Sequence, residues 1–166
     1  MQNKYGKNKS LNLSHIDKRG NAAMVNIGQK NETHRSARAV GFVSMQPNTL
    51  DLIKEGTAKK GDVLGVARLA GVMGAKITPQ IIPLCHVIPL DHISVEFEID
   101  DQRCGIEIHA IAQTTAKTGV EMEALTAVSV AALTLYDMCK STDHGIWIKD
   151  IRLISKTGGT SGDLHL

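Results

Sequence analysis

Four ionisable residues stand at the two ends of one apolar run and are the first candidates for chemistry: Glu121, Glu123, Asp137 and Lys140, in the stretch from Lys117 to Lys140, KTGVEMEALTAVSVAALTLYDMCK. A run this apolar predicts a buried helix, and charged groups at its ends need a partner or a task there. Asp137 and Lys140, three residues apart, share a helical face, so the carboxylate can orient and hold the ammonium. Glu123 falls near that face but about 21 Å away along the axis, at ~1.5 Å per residue. No single pocket of one chain can use both ends. Either the ends serve different tasks, or a second copy brings its Glu123 end to the first copy's Asp137 end. Two-fold dimers are the commonest assemblies, so a shared site at a symmetric interface is expected.

Other segments add candidates. KTGVEME opens the helix: backbone N–H groups at a helix start attract anions, and a Thr-Gly approach leaves room for a ligand. Thr118 followed three residues later by Glu121 also fits a capping box. Met122 between the acids suits core packing as well as ligand contact. In LCHVIPL, prolines on either side stiffen the backbone around His86. That can hold an imidazole for recognition or proton transfer, although a histidine beside Cys and Leu also suits plain packing. Cys85 and His86 are adjacent, not at zinc-site spacing, and no second ligand pair stands at a fitting distance, so no metal site is predicted. Lys59 and Lys60 precede Gly61 and Asp62 at a helix start, where the macrodipole disfavours cations. An anionic ligand removes that conflict; two solvated loop lysines are the alternative. Lys156 in SKTGGTSGD leads glycines and hydroxyls able to wrap a phosphate. The order is not that of a P-loop, and a flexible tail is the alternative.

The elements that position these groups follow from pattern. Strands are predicted at 22–27 and 34–46, and Arg35 and Arg38 have opposite parity on the second, so they cannot share a face. A short helix runs from Pro47 or Asn48 to Glu55, stopped by Gly56. KKGDVLGVARLAGVMGAKITP is a helical segment that ends before Pro79, and its many Gly and Ala residues imply that another backbone packs very close. HISVEFEID (92–100) alternates as a half-buried strand, turns at 100–102 and pairs with a strand near 103–114. After the long helix come a turn at Asp143–Gly145, a strand at 146–155 and the Gly-rich end. The expected fold is α+β, an antiparallel sheet with helices packed on one face. Residues 1–13 are expected to be a disordered tail and 14–166 a single domain.

Composition narrows function. Nineteen Lys and Arg against seventeen Asp and Glu leave +2, too little to imply nucleic acid, and aromatics at 3% leave no stacking platforms. Three widely spaced cysteines suit a reducing cytosol, and with no h-region behind the basic N-terminus and no long uninterrupted apolar run, a cytoplasmic protein with no membrane partner is expected.

KGDVLGVARLAG (60–71), IIPLCHVIPL (81–90), KTGVEMEALTA (117–127), LYDMCK (135–140) and SKTGGTSGD (155–163), in this order over one domain, resemble the molybdenum cofactor biosynthesis protein C family, the cyclic pyranopterin monophosphate synthases. The resemblance implies a ferredoxin-like subunit in a homohexamer, a trimer of dimers with active sites at a dimer interface. It implies conversion of 3′,8-cyclo-7,8-dihydroguanosine triphosphate to cyclic pyranopterin monophosphate and pyrophosphate. On the matching motifs, Lys60, Asp137 and Lys140 are the expected catalytic groups, while Leu84, Cys85, His86, Glu121, Met122, Glu123 and Lys156 contact the substrate. No resident cofactor is expected; a divalent cation accompanying the triphosphate is left open. Two departures stand out: Val87 where the family usually has proline after the His, and Thr160 where lysine is common. The rival readings are a non-catalytic nucleotide-binding module, which needs only the lysines and the helix start, and a scaffold that only oligomerises.

Overall fold

Strand Thr33–Ser44 (β1) is followed by three helices, Pro47–Lys54 (α1), Val63–Lys76 (α2) and Thr78–Ile81 (α3). The hairpin His92–Asp100 (β2) and Gly105–Ala116 (β3), the long helix Glu121–Cys139 (α4), Trp147–Thr157 (β4) and the short Leu164–His165 (β5) complete the chain. This computed structural model describes residues 15–17, 19–159 and 162–166; the expected tail at 1–13 lies outside them, as does Thr160.

The sheet is five-stranded, in the order β2-β3-β1-β4-β5, with every pair antiparallel. The order β-α-β-β-α-β, with β1 central between β3 and β4, is the ferredoxin-like arrangement, with β5 added at one edge. Its helix-facing side comes from strict alternation: Ala37, Ala39 and Val43 on β1 and Ile106, Ile108, Ala110 and Ala112 on β3 are all buried. Against them lie Ala124, Ala127, Val128, Ala131, Ala132 and Leu135 of α4, also buried. With so few aromatics, density comes from close backbone approach. A Cβ added at Gly71 of α2 would lie 2.9 Å from the Ala127 carbonyl oxygen, and one at Gly74 would lie 2.7 Å from Val130 Cγ2. The glycine-studded helix thus meets another backbone, as its composition predicts.

Two expectations are corrected. Residues 22–27 form no strand: only an isolated bridge joins Ile16 to Ala22. Small and β-branched residues make a strand only where a ladder partner is available. The long helix begins at Glu121 rather than Lys117, and its N-cap, Val120, makes no side-chain cap bond, so the capping box from Thr118 is not formed. Glu121 instead turns to Lys156, 2.8 Å away. The glycine-studded helix ends at Lys76, before Pro79 as expected, and Pro79 itself stands in the first turn of the short α3, where its missing N–H is not needed. Asp62 caps α2 by accepting from the Gly65 N–H at 2.8 Å, which fixes where the Lys59-Lys60 loop leaves the helix layer.

Gly71→Val should destabilise the fold by about 1–3 kcal/mol through overpacking against Ala127 and Val95, measured as a lowered denaturation midpoint with an unchanged slope in urea.

Candidate functional site

Strand parity sends Arg35, Ala37 and Ala39 of β1 to the helix side of the sheet and Arg38 to the other. Lys156 on β4 is registered opposite Ala37, which places it beneath the start of α4. There it meets Glu121 of the first helical turn, and both side chains are partly buried. A side chain at Gly119 would overlap the Glu121 carboxylate, so the Thr-Gly approach is what lets Glu121 turn back to the lysine. Gly158 and Gly159 follow at φ +81° and +99°, and a Cβ on either would overlap the His34 carbonyl or the Arg35 guanidinium. The terminal SKTGG segment is therefore fitted over Arg35 rather than loose.

The result is a polar pocket of about 160 Å³ lined by Lys30, Arg35, Lys156, Gly119, Val120 and Glu121, among others. Arg35 Nε is buried without a hydrogen-bond partner among the described residues. Three cations against one carboxylate, at the N-terminal end of a helix, make an anion-binding concavity. Lys30 and Arg35 were not among the residues expected here. The parity of Arg35 and Arg38 was the available signal that one arginine would face the helix layer; nothing in the local sequence pointed to Lys30.

A larger and mostly apolar cleft of about 780 Å³ adjoins this pocket through Thr118, Gly119 and Glu121. Its walls include Leu84, Cys85, His86 and Met122, so the expected contact residues of the proline-bounded loop and the helix start do converge. Glu123 sits behind them, 2% exposed. Its Oε1 accepts the Cys85 thiol at 3.7 Å, and its Oε2 has no partner among the described residues. Burial pushes the Glu123 carboxyl above the ordinary carboxylate range. Burial, then the Glu123 charge, pushes the Cys85 thiol up to about 11. The His86 imidazole is engaged as well: Nε2 donates to the Val25 carbonyl at 2.8 Å.

Lys60, Asp137 and Lys140 assemble at the other end of α4. Lys140 Nζ lies 2.7 Å from Asp137 Oδ1, and Lys60 Nζ donates to the Asp137 carbonyl at 2.7 Å and to Oδ2 at 3.3 Å. Lys140, then Lys60, holds the Asp137 carboxyl below its usual range, and Asp137 raises Lys140 in turn. All three side chains are substantially exposed, so these pairs are screened and cost little to break. α4 is continuous from Glu121 to Cys139, so within one chain the two clusters stay apart. Lys59 does not join either ion-pair cluster; it lines a small crevice with Met138 and Cys139. Among the described residues no group of three His, Cys, Asp or Glu side chains converges as a metal site.

Fold and site together define a ferredoxin-like α+β subunit with an anion pocket opening into an apolar cleft. The model of the MoaC family matches residues 24–159, and the chain belongs to that family. It is 55% identical over 150 residues to a cyclic pyranopterin monophosphate synthase of Thermomicrobium roseum, covering 90% of each chain. Proteins of the same name from Desulforamulus reducens and a Nostoc species are 56% and 54% identical, over 91% and 98% of this chain and 92% and 96% of theirs.

Cys85 should resist alkylation at neutral pH and react fully only as the pH approaches about 11. Glu123→Gln should lower that midpoint while leaving it above an ordinary thiol's, because the burial remains; peptide mass mapping of iodoacetamide uptake against pH measures both.

Proposed function

We propose that the protein is a cyclic pyranopterin monophosphate synthase, a lyase that converts 3′,8-cyclo-7,8-dihydroguanosine triphosphate to cyclic pyranopterin monophosphate and pyrophosphate in molybdenum cofactor biosynthesis in the cytoplasm. The observation that carries this reading is the anion pocket of Lys30, Arg35 and Lys156 opening directly into an apolar cleft large enough for a fused ring. A nucleoside triphosphate has that division, polyanion at one end and flat ring at the other. Of the expected substrate-contacting residues, Leu84, Cys85, His86, Glu121 and Met122 line the cleft, Glu123 stands behind Cys85, and Lys156 lines the anion pocket.

The chemistry asks for proton transfers and charge neutralisation. The five-membered ring of the purine opens and recloses as a pterin, and a sugar hydroxyl oxygen then bonds to the α-phosphorus as the bond to the pyrophosphate oxygen breaks. Lys60 and Lys140 donate protons and neutralise the developing charge, and Asp137 holds both amines in register. Lys140 is held charged by that carboxylate, which suits donation and not abstraction of a proton. Weak, exposed ion pairs at Asp137 can be exchanged for contacts to a polyanion. The reading needs no resident cofactor; a divalent ion arriving with the triphosphate would be part of the substrate.

The remaining requirement is that the two ends of α4 meet, and we place this across a two-fold interface within a homohexamer. On α4 an outward stripe runs from Met122 through Leu125, Ser129 and Leu133 to Asp137, so one exposed side joins the two ends of the helix, while Glu121 and Glu123 turn inward from it. Beside it, α2 exposes Val66, Leu69, Met73 and Ile77 at helical spacing. A contiguous apolar strip of this kind suits a protein contact, and an antiparallel copy laid on it brings each Asp137 end to its partner's Glu123 end.

Lys60→Ala and Asp137→Asn should each abolish turnover of the cyclised triphosphate while the variants keep wild-type size in gel filtration. Wild-type protein that binds the compound but releases neither pterin nor pyrophosphate would be a binding module instead. Mixing Asp137→Asn with Lys156→Ala chains under exchange conditions should regain about a quarter of wild-type activity, since half of the random dimers carry one intact site of two. A site contained in one chain would regain none.

A further inference from the structure

We infer that His86 and Lys117 are positioning residues: from two different walls of the cleft they hold backbone carbonyls of the strap Ala22–Lys30 and so set Lys30 at the anion pocket. This rests on the function proposed above, and it gives the His86 imidazole a task other than reading the substrate ring.

The strap has neither helix nor ladder to hold it. Several of its hydrogen bonds are internal to residues 15–30: Ala23 N–H to the His15 carbonyl at 2.9 Å, Lys30 N–H to the Ile27 carbonyl at 3.0 Å, and Gly28 N–H to Asn26 Oδ1 at 2.8 Å. Among the described residues, two hydrogen bonds tie it to the rest of the molecule. His86 Nε2 donates to the Val25 carbonyl at 2.8 Å, and Lys117 Nζ donates to the Gly28 carbonyl at 3.3 Å. Their placement is informative. His86 comes from the segment bounded by Pro83 and Pro89 that lines the apolar cleft, whereas Lys117 immediately precedes Thr118 and Gly119, which line both cleft and pocket. Each anchor is therefore fixed to a wall of the site, and the strap spans between them.

Only the far end of the strap bears a charge that reaches the pocket, that of Lys30. An ammonium on an unanchored segment must be ordered when the anion binds, and the entropy of that ordering is subtracted from affinity. Anchoring the Val25 and Gly28 carbonyls beforehand removes part of that cost. The expected signature is a change in substrate affinity larger than any change in the chemical step, and one that depends on Lys30 being present. A histidine that reads the ring directly would act independently of Lys30.

The first test needs no substrate. His86→Leu should raise the rate of trypsin cleavage after Lys30 in the free protein by about fivefold or more as the strap opens locally. His86→Gln, whose amide N–H can reach the same carbonyl, should restore slow cleavage, and Lys117→Met should repeat the effect from the other anchor. Unchanged cleavage in both His86→Leu and Lys117→Met would overturn the inference whatever the activity of the protein. In turnover assays His86→Leu should raise KM by about tenfold, with kcat moving less, and the same change in a Lys30→Ala background should raise KM by less than about twofold. Fully multiplicative effects, or a loss carried mainly by kcat, would also overturn it. If wild-type protein shows no turnover at all, the proposed function fails while the cleavage result still decides the role of the strap.

Discussion

Close approach between backbones allows a helix with charged ends to serve as the core of this molecule. α4 lies against alanines of β1 and β3 on one side and against Gly71 and Gly74 of α2 on the other, so little side-chain volume separates it from either neighbour. Small residues give up buried area per residue but gain contact density, and a core with so few aromatics depends on that exchange. The consequence reaches the site. Because α4 is held along its whole length, its two ends are fixed points, and the groups they carry are positioned by the core rather than by loops. α4 is also the one helix among the described residues long and apolar enough to cross a membrane, and the same packing accounts for that composition.

The two ends differ in electrostatic character. At the first, burial governs: Glu123 is desolvated and keeps its proton more readily, the Cys85 thiol beside it is held protonated, and the Lys156–Glu121 pair is partly sheltered. At the second, exposed amines share one carboxylate that stays ionised. A ligand spanning both ends across a subunit contact would meet the sheltered cations of the anion pocket beside the apolar cleft, and exposed ammonium groups in exchangeable ion pairs at the far side. That division matches a substrate whose ring must be recognised and whose phosphates must be both held and released.

The anion pocket is built from distant pieces: the strap, the start of β1, the start of α4 and the end of β4. Two of the pieces need a local exception to ordinary backbone or packing preference: the left-handed Gly158 and Gly159 over Arg35, and Gly119 giving way to Glu121. Those exceptions explain why the Gly-rich terminal segment, read alone, could equally be a loose tail. Its glycines are needed for close approach to β1, which local sequence does not display.

Alternation along 92–100 and 105–116 and the apolar run of α4 determined the hairpin, the long helix and the α+β class from sequence alone, because burial on one face imposes a period that neighbouring residues must share. The ionisable ends of α4, the Cys85-His86 loop and Lys60, Lys140 and Lys156 were likewise singled out by residue type and spacing, and the structure places them at the two ends of α4. Tertiary structure decided the rest. It denied residues 22–27 a ladder, moved the start of α4 to Glu121 by giving that carboxylate a lysine, and brought Arg35 and Lys30 to one pocket. Those outcomes depend on partners far away in the chain, and no local period records a long-range contact.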